Sequence, residues 1–393
     1  MKKHFLIVVM LIFLTVIKSS DLSTSSTVST PETSPSPSLA TTPTPSNTQI
    51  NTPSPTPVPV VPVPTPTPTP TSTPPPTPTP TSKPTDLPME SNSIVLNPSP
   101  TMGPLVDSLP TYEADSLESL KFKDDMANII SKAEKVSGIS STYGLFIMDL
   151  QTNYSYGVNE NLTRIDETEN VPEGYFNSAS VIKLYQGYIF CDMMRNGELD
   201  EEKKWYDIVT GRKFKLLPMI KSMISYSDND YSNACLRIVD NKASNAVLNR
   251  LGIQNSRLYG EMAGAIGYSE KNNLNRYGTK KRCARITPSD TALILYNIFI
   301  NKDSDLYMKK LHEALLGNVY NSRIPVGVKR VSSKYQVAHK TGTNTGRGIY
   351  NDAGIVYAKT PYILVVFTQN TSEKIGNSFI RSIAEQVTYY YER

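Results

Sequence analysis

The sequence is poor in cysteine and histidine, with three of each among its 393 residues. Three cysteines exclude a disulfide-stapled scaffold and a zinc site built from a cysteine cluster. His4 lies close to the N-terminus, so His312 and His339 alone could serve a folded domain as metal ligands or as the base of a Ser-His-Asp triad. The sequence therefore predicts neither a metal nor an organic cofactor.

Aromatic residues are absent from residues 21–110, where 60 of the 90 positions are proline, serine or threonine. Such a segment cannot bury enough apolar surface to offset the entropy lost on ordering it. Repeated Thr-Pro pairs, densest between Val58 and Pro80, favour an extended polyproline II spacer. Two interpretations stay open: a stalk that associates with the cell wall, or a disordered tail without a specific partner.

Long hydrophobic runs are also rare. One lies near the N-terminus at Phe5–Ile17, preceded by Lys2 and Lys3 and followed by Lys18-Ser-Ser. A basic start, a short apolar run and small polar residues are typical of a secretory signal peptide. The run is shorter than the ~20 residues that a membrane span requires. We therefore predict a signal peptide over residues 1–20 and a secreted or cell-surface protein, with the signal either cleaved or kept as an anchor.

The sequence has no large excess of charge of either sign. It contains 40 basic and 36 acidic residues, which gives a net charge of +4. A balance this mild gives no reason to expect a nucleic-acid partner. Residues 111–393 are long enough for one domain with a sizeable core. We predict three regions, a signal peptide (1–20), a disordered linker (21–110) and one folded domain (111–393), in a protein that we expect to be a monomer.

The hydrophobic patterns of the folded domain place strands at both ends and helices between them. The predicted strands are Tyr143–Leu150, Tyr154–Val158, Val337–Lys340, Ile349–Tyr357 and Tyr362–Thr368. The predicted helices are Leu117–Val136, Ser180–Asn196, Met219–Ser225, Ser232–Val239, Pro288–Ile300 and Phe379–Tyr391. This order predicts an α+β fold with an antiparallel sheet built from N- and C-terminal segments, flanking helices and a helical lobe.

The first chemical motif is Ser180-Val-Ile-Lys183. Residues three apart share a face of a helix, so the Lys183 amine can reach the Ser180 hydroxyl. A partly desolvated lysine loses its proton more easily and can then activate a serine nucleophile. The pair therefore predicts nucleophilic catalysis at the start of a helix.

Two further motifs follow, Ser227-Asp-Asn229 at an interhelical turn and Lys340-Thr-Gly342 on a strand, the latter continued by Thr343. Asp and Asn at such a turn commonly cap helices, and a strand lysine commonly faces solvent. The functional alternative gives Ser227 a proton-shuttle role and Asn229 an amide contact to substrate. Glycine on the strand permits close approach of a ligand.

In this order the three motifs are those of penicillin-recognising serine enzymes, and the chain resembles the class A serine β-lactamase-like branch of that superfamily. The resemblance covers about residues 112–393. Surrounding segments that also match are Phe176–Ser180, Met223–Asn229 with Asn233, Ile286–Asp290, Arg323–Pro325 and Asn351–Tyr357. The resemblance implies a serine hydrolase acting on cyclic amides, with a small β-lactam or a peptidoglycan stem peptide as substrate.

Catalytic roles follow from the resemblance. Ser180 would be the acylated nucleophile, Lys183 its general base or relay, and Ser227 the group that passes a proton to the leaving amine. His339 is not assigned as a base.

Substrate-binding roles follow in the same way. Asn229 would hold the side-chain amide of the substrate, and Lys340 and Thr341 would bind its carboxylate. Gly342 belongs to the same binding strand, and the N–H groups of Thr343 and of the nucleophile would form the oxyanion hole.

The sequence departs from the family pattern at two places. Class A enzymes hold the hydrolytic water with a glutamate and an asparagine four residues later, in a loop that corresponds to residues 257–275 here. This loop offers Glu261 and Glu270 without that asparagine, so Glu261 is the better candidate for the deacylation base and deacylation is expected to be slow. Tyr350 occupies the place of the family's carboxylate-binding arginine, and Arg347 is the candidate substitute.

Three functions remain open. The first is a secreted class A-type β-lactamase that opens β-lactam rings through a Ser180 acyl-enzyme, with a role in antibiotic resistance. The second is a D-Ala-D-Ala peptidase or another cell-wall serine hydrolase, and the third is a non-hydrolytic penicillin-binding module on a stalk. The intact motif residues favour the first two, and the incomplete loop pair opposes an efficient version of the first.

Overall fold

Strands and helices alternate in groups along residues 103–161, 176–277 and 283–393, which are the residues that the computed structural model describes. The strands are β1 (Tyr143–Asp149), β2 (Ser155–Val158), β3 (Phe176–Asn177), β4 (Trp205–Tyr206), β5 (Lys213–Phe214), β6 (Arg257–Leu258), β7 (Ala284–Ile286), β8 (Gln336–Asn344), β9 (Ile349–Tyr357) and β10 (Tyr362–Thr368). The helices are α1 (Leu117–Ser137), α2 (Ile182–Arg195), α3 (Leu216–Ser225), α4 (Asn229–Ile238), α5 (Asn241–Arg250), α6 (Glu270–Tyr277), α7 (Pro288–Asn301), α8 (Leu306–Leu316), α9 (Ile324–Val331) and α10 (Glu373–Glu392). The predicted signal peptide and most of the predicted linker lie outside the described residues.

The main sheet has five antiparallel strands in the order β2-β1-β10-β9-β8. Strands β1 and β2 come from the N-terminal end of the folded part, and β8, β9 and β10 from its C-terminal end. The predicted α+β fold, with a sheet assembled from distant segments, is therefore confirmed.

Both faces of this sheet are buried, because side chains alternate between two cores along each central strand. On β1, Leu145 and Ile147 pack against α1, α9 and α10, whereas Phe146 and Met148 pack against the helical lobe. Strands buried on both faces read as continuous apolar runs. That pattern made β10 predictable to the residue, and β9 has its predicted bounds although Asn351 and Asp352 interrupt its apolar run.

Helix starts follow local capping chemistry. Thr287 caps α7 through the N–H of Asp290, and Pro288 occupies the first turn, where its missing N–H carries no penalty. Ser116 and Ser372 cap α1 and α10 in the same way. Together α1 and α10 cover one face of the sheet, while α7 belongs to the lobe on the other.

The spacing of apolar residues in α1 predicts one buried face that consists of Leu117, Leu120, Met126, Ile129, Ile130 and Ala133. This prediction is partly wrong. Met126, Ile129, Ile130 and Ala133 are buried as expected, but Leu117 and Leu120 are exposed. At about 100° per residue, Leu117 lies on the opposite side of the helix from Met126, and Leu120 lies about 120° away from it. Phe122 completes the buried stripe instead.

The predicted boundary between linker and domain at residues 110 and 111 is also wrong. Val106 exchanges two hydrogen bonds with the side chain of Asn297 on α7, at 2.8 and 2.9 Å. Leu105 and Leu109 pack against the core of the lobe, and the carbonyl of Gly103 accepts a hydrogen bond from Arg195. The high proline and serine content of residues 21–110 concealed this short apolar segment.

No helix among the described residues is long and apolar enough to cross a membrane. The same residues contain no group of three or more His, Cys, Asp or Glu side chains that could hold a metal ion. All three cysteines are free thiols.

A protein that begins at Gly103 should therefore unfold at the same temperature as one that retains residues 21–102. A protein that begins at Thr111 loses the Val106–Asn297 bonds and the Leu105 and Leu109 contacts, worth about 2–4 kcal/mol together. Differential scanning calorimetry of the three proteins checks this. Equal melting temperatures for the Gly103 and Thr111 starts would contradict the docking of this segment.

Candidate active site

The turn that carries Ser180 is fixed between the sheet and α2. Asn351 on β9 donates hydrogen bonds to the carbonyls of Asn177 and Ser178, at 2.9 and 3.3 Å. Asn177 in turn accepts one from the N–H of Ala179 at 3.0 Å. Ala179 has a φ of 41°, a left-handed conformation that is strained for a residue with a Cβ. These contacts hold Ser180 in a 3₁₀ turn directly before α2.

Lys183 lies on the first turn of α2 and is fully buried. Its Nζ donates hydrogen bonds to Ser180 Oγ and Asn229 Oδ1, both at 2.8 Å, and contacts Met262 Sδ at 3.1 Å. Burial lowers the pKa of Lys183 to about 7, because a buried ammonium loses its hydration. At neutral pH much of the amine is therefore unprotonated and in contact with the hydroxyl of Ser180.

The second motif lies at the turn between α3 and α4. Asp228 caps α4 through the N–H of Tyr231 and pairs with Arg212 at 2.9 Å, so the capping expectation holds for the middle residue. The flanking residues face the site: Ser227, with a φ of 57°, accepts a hydrogen bond from Lys340, and Asn229 accepts one from Lys183. The motif therefore serves the helix and the site together.

The third motif runs along β8, an edge strand of the sheet. Lys340 is fully buried, and its Nζ donates to Ser227 Oγ at 3.1 Å and to the carbonyl of Thr341 at 2.9 Å. Burial lowers the pKa of Lys340 well below its usual value, and the nearby charge of Lys183 lowers it further. The surface-lysine alternative is therefore wrong.

Gly342 lets β8 approach the Ser180 turn. A Cβ at position 342 would lie 2.6 Å from the carbonyl oxygen of Ser178 and 3.3 Å from the backbone nitrogen of Ser180. A side chain there would push the strand away from the nucleophile. Its absence brings the backbone of Ser180 beside the strand that continues into Thr343, so the two segments expected to form the oxyanion hole face each other.

Behind the third motif, His339 forms a fully buried pair with Asp352, with Nδ1 2.8 Å from Oδ1. The second carboxylate oxygen of Asp352 accepts a hydrogen bond from the N–H of Ile324 at 3.0 Å. Both sides of this pair are therefore engaged within the protein, between β8, β9 and the start of α9.

A model of the beta-lactamase enzyme family matches residues 121–391. This match covers well over half of the sequence and includes all three motifs. The chain belongs to the beta-lactamase enzyme family. No curated protein matches it significantly.

Solved structures show the same fold. The beta-lactamase from Sphaerobacter thermophilus DSM 20745 is 19% identical, with a TM-score of 0.54 over 68% of this chain and 97% of its own. A structure described as PBP-A is 18% identical, with a TM-score of 0.54 over 67% and 96%. A beta-lactamase from Xanthomonas campestris pv. campestris str. ATCC 33913 is 16% identical, with a TM-score of 0.54 over 68% and 97%.

Within this family fold, the carboxylate of Glu261 does not contact Lys183. It accepts hydrogen bonds from Arg237 at 2.7 Å and from Arg276 at 2.8 Å, and it is buried in this ion-pair cluster. The side chain that contacts Lys183 is the next one along the chain, Met262. The structure therefore places the carboxylate of Glu261, the candidate deacylation base, in an ion-pair cluster rather than against Lys183.

Met262 is held in this position by Asn233 on α4. The Asn233 amide accepts a hydrogen bond from the N–H of Met262 at 2.7 Å and donates one to its carbonyl at 3.0 Å. Asn233 is one of the residues that match the family pattern in sequence. Its two hydrogen bonds fix the loop backbone at Met262. The thioether of Met262, rather than the carboxylate of Glu261, therefore lies beside Lys183.

Arg347, the expected carboxylate contact, is exposed on the 3₁₀ turn after β8 and lines a cavity of about 380 Å³ with Asn177 and Gln369. The guanidinium that bonds the third motif is that of Arg323. It is buried and donates to Thr343 Oγ1 at 2.7 Å and to the carbonyl of Gly342 at 3.4 Å.

Arg323 also lies over the ring of Tyr350, with Cζ 5.6 Å from the ring centroid. Tyr350 occupies the place where the family pattern has a carboxylate-binding arginine. Here the tyrosine ring contacts the guanidinium of Arg323 instead. The segment Arg323-Ile-Pro325 matches the family pattern, but that resemblance implies no role for the arginine.

Acylation of Ser180 should rise with pH through about 7. Below that pH Lys183 is an ammonium and cannot take the serine proton, whereas above it the neutral amine can. Second-order acylation rates with a fluorescent penicillin between pH 5 and 9 check this. A profile that is flat from pH 5 to 8 would contradict the assignment of Lys183 as base.

Proposed function

We propose that the protein is a secreted or cell-surface serine hydrolase that opens β-lactam rings through a Ser180 acyl-enzyme and releases the product slowly. The observation that carries the proposal is the hydrogen bond between Lys183 Nζ and Ser180 Oγ in a buried site, at 2.8 Å. A non-hydrolytic module would have no need of a desolvated lysine beside a strained serine turn.

The proposed acylation begins when neutral Lys183 takes the hydroxyl proton of Ser180 and Oγ bonds to the lactam carbonyl carbon. The N–H groups of Ser180 and Thr343 receive the developing oxyanion. The carbon–nitrogen bond then breaks, and Ser227 gives its proton to the leaving nitrogen. Ser227 regains a proton from Lys340, whose Nζ lies 3.1 Å away.

Substrate recognition relies on the positive charge of the third motif. Lys340 and the hydroxyl of Thr341 are proposed to bind the substrate carboxylate, and Arg323 supports them through Thr343. Asn229 is proposed to hold the amide of the acyl side chain, since its Nδ2 already donates to the carbonyl of Ala263 at 3.2 Å. An anionic substrate carrying an amide suits these groups.

Slow deacylation follows from Met262. Hydrolysis of the ester needs a carboxylate or similar base to take a proton from water, and a positioned base contributes ~10²–10⁴-fold. A thioether cannot accept that proton, and the glutamate that precedes Met262 in the chain, Glu261, is paired with two arginines. This favours one second candidate, a D-Ala-D-Ala peptidase-like enzyme acting on stem peptides, over a resistance enzyme with rapid turnover.

Ser180→Ala should abolish covalent labelling by a fluorescent penicillin without changing the melting temperature. Gel fluorescence after denaturation measures the label, and circular dichroism checks the fold. Lys183→Ala should label more slowly by orders of magnitude, because removing one member of a catalytic unit disables it. Labelling of the Ser180→Ala protein at the wild-type rate would show that another residue is the nucleophile.

Met262→Glu should shorten the lifetime of the penicillin adduct by ~10²-fold or more, because it places a carboxylate beside Lys183. Met262→Gln is the matched control, with the same shape and no base, and should leave the lifetime unchanged. Chasing the fluorescent label with unlabelled penicillin measures both.

The same carboxylate should raise the pKa of Lys183 by stabilising its ammonium form. The acylation profile of Met262→Glu should therefore shift to higher pH, while that of Met262→Gln should not. If the two variants lose their label at equal rates, a missing carboxylate at position 262 is not what limits hydrolysis.

A further inference from the structure

Three large apolar side chains are exposed beside the second motif. Tyr226, which directly precedes Ser227, is 59% exposed, and Val319 and Tyr320 in the loop between α8 and α9 are 52% and 49% exposed. Single exposed apolar residues are ordinary on protein surfaces. These three, which we call the Tyr226–Tyr320 rim, lie on two adjacent turns.

Main-chain bonds hold the two turns together. The N–H of Val319 donates to the carbonyl of Ser225 at 3.1 Å, and the hydroxyl of Tyr320 donates to the carbonyl of Tyr226 at 3.3 Å. Ser225 itself donates from Oγ to the carbonyl of Ala314 on α8 at 2.8 Å. The rim is therefore fixed to the turn that carries Ser227.

The α8–α9 loop is also fixed to β8. Asn318 donates to the carbonyl of His339 at 2.9 Å and accepts from the N–H of Tyr320 at 2.9 Å. Asn321 Oδ1 lies 3.1 Å from Nε2 of the same histidine, which directly precedes Lys340. The rim is thus fixed relative to Ser227 and Lys340, which are themselves joined by a hydrogen bond.

Substrate geometry places the leaving group on this side of the site. In the proposed function, on which this inference rests, Ser227 gives its proton to the leaving nitrogen. A substituent carried by the leaving group is therefore expected to extend past Ser227, on the side of the turn where Tyr226 and Tyr320 lie. Exposed aromatic rings bind aromatic or bulky apolar groups through a large contact area, and the hydrogen bond of the Tyr320 hydroxyl restricts that side chain before substrate binds.

We propose that the Tyr226–Tyr320 rim is a specificity site for aromatic or bulky apolar substituents on the leaving-group side of the substrate. Nothing in the three catalytic motifs assigns a role to these residues. The site acts by contact with substrate and does not alter the chemistry at Ser180.

The test compares two cephalosporins that share one acyl side chain and differ at C3, which carries an aryl-vinyl group in one and a methyl group in the other. Stopped-flow measurements give the second-order acylation rate for each. Because the two lactams differ in intrinsic reactivity, the informative quantity is the change in their rate ratio between variants. Wild type, Tyr226→Ala, Tyr320→Ala and Tyr320→Phe are measured in parallel.

The ratio should fall roughly tenfold in each alanine variant, in keeping with the loss of one aromatic contact. Tyr320→Phe, which retains the ring, should keep most of the preference. The rate with the methyl compound should stay within about twofold throughout. Tyr389→Ala is the matched control, since Tyr389 is similarly exposed at 54% and lies on α10 across the sheet.

If the rate ratio is unchanged in both alanine variants while both compounds still acylate Ser180, the rim proposal is wrong and the proposed function stands. A fall in the methyl rate equal to the fall in the aryl rate would show a structural role and would also overturn it. If neither compound acylates the wild-type protein, the proposed function is wrong and the rim proposal falls with it.

Discussion

The burial of Lys183 is the constraint on which the site depends. A lysine with no exposed surface loses the hydration of its ammonium, and its pKa falls to about 7. Ser180 and Asn229 accept the hydrogen bonds of this amine, so the amine lies directly against the hydroxyl of Ser180. The buried Lys340 lies nearby, and the pKa of its amine is lowered by the same loss of hydration and by the charge of Lys183.

The sheet and the lobe supply this environment jointly. Strand β8 brings Lys340 and Gly342 to one wall, and the absence of a side chain at Gly342 lets that wall lie against the nucleophile turn. Helix α4 supplies Asn229 to the lysine and, one turn later, Asn233 to the loop that carries Met262. A shift of either element would change which group lies beside Lys183.

Much of the fold and of the site was predictable from sequence because the relevant signals are local. A spacing of three residues predicted the contact between Lys183 and Ser180, and a continuous apolar run predicted β10. The prediction of the buried face of α1 was partly wrong because Leu117 and Leu120 are apolar but lie at the wrong angle around the helix axis to join the buried residues. The domain boundary failed because a composition average over 90 residues hides an apolar segment as short as Leu105 to Leu109.

Long-range pairings were the part that sequence could not supply. Glu261 lies in the loop where the family pattern has its glutamate. Its carboxylate pairs with Arg237 on α4 and Arg276 on α6, which its position in the sequence does not reveal. Arg323 lies 20 residues before Thr343 in the sequence, and only the packing of α9 against the sheet joins them. The contact of Met262 with Lys183 likewise spans 79 residues and has no local signature.

The central claim is that Ser180 is acylated by a β-lactam and that Met262 leaves the ester without an efficient route to hydrolysis. An intact-mass spectrum of the wild-type protein, recorded minutes after mixing with excess penicillin, tests both halves at once. The account predicts a mass increase equal to one penicillin molecule, located on the peptide that contains Ser180. Clean turnover of penicillin with no adduct would contradict it and would show that another group, such as Lys183, activates water for deacylation.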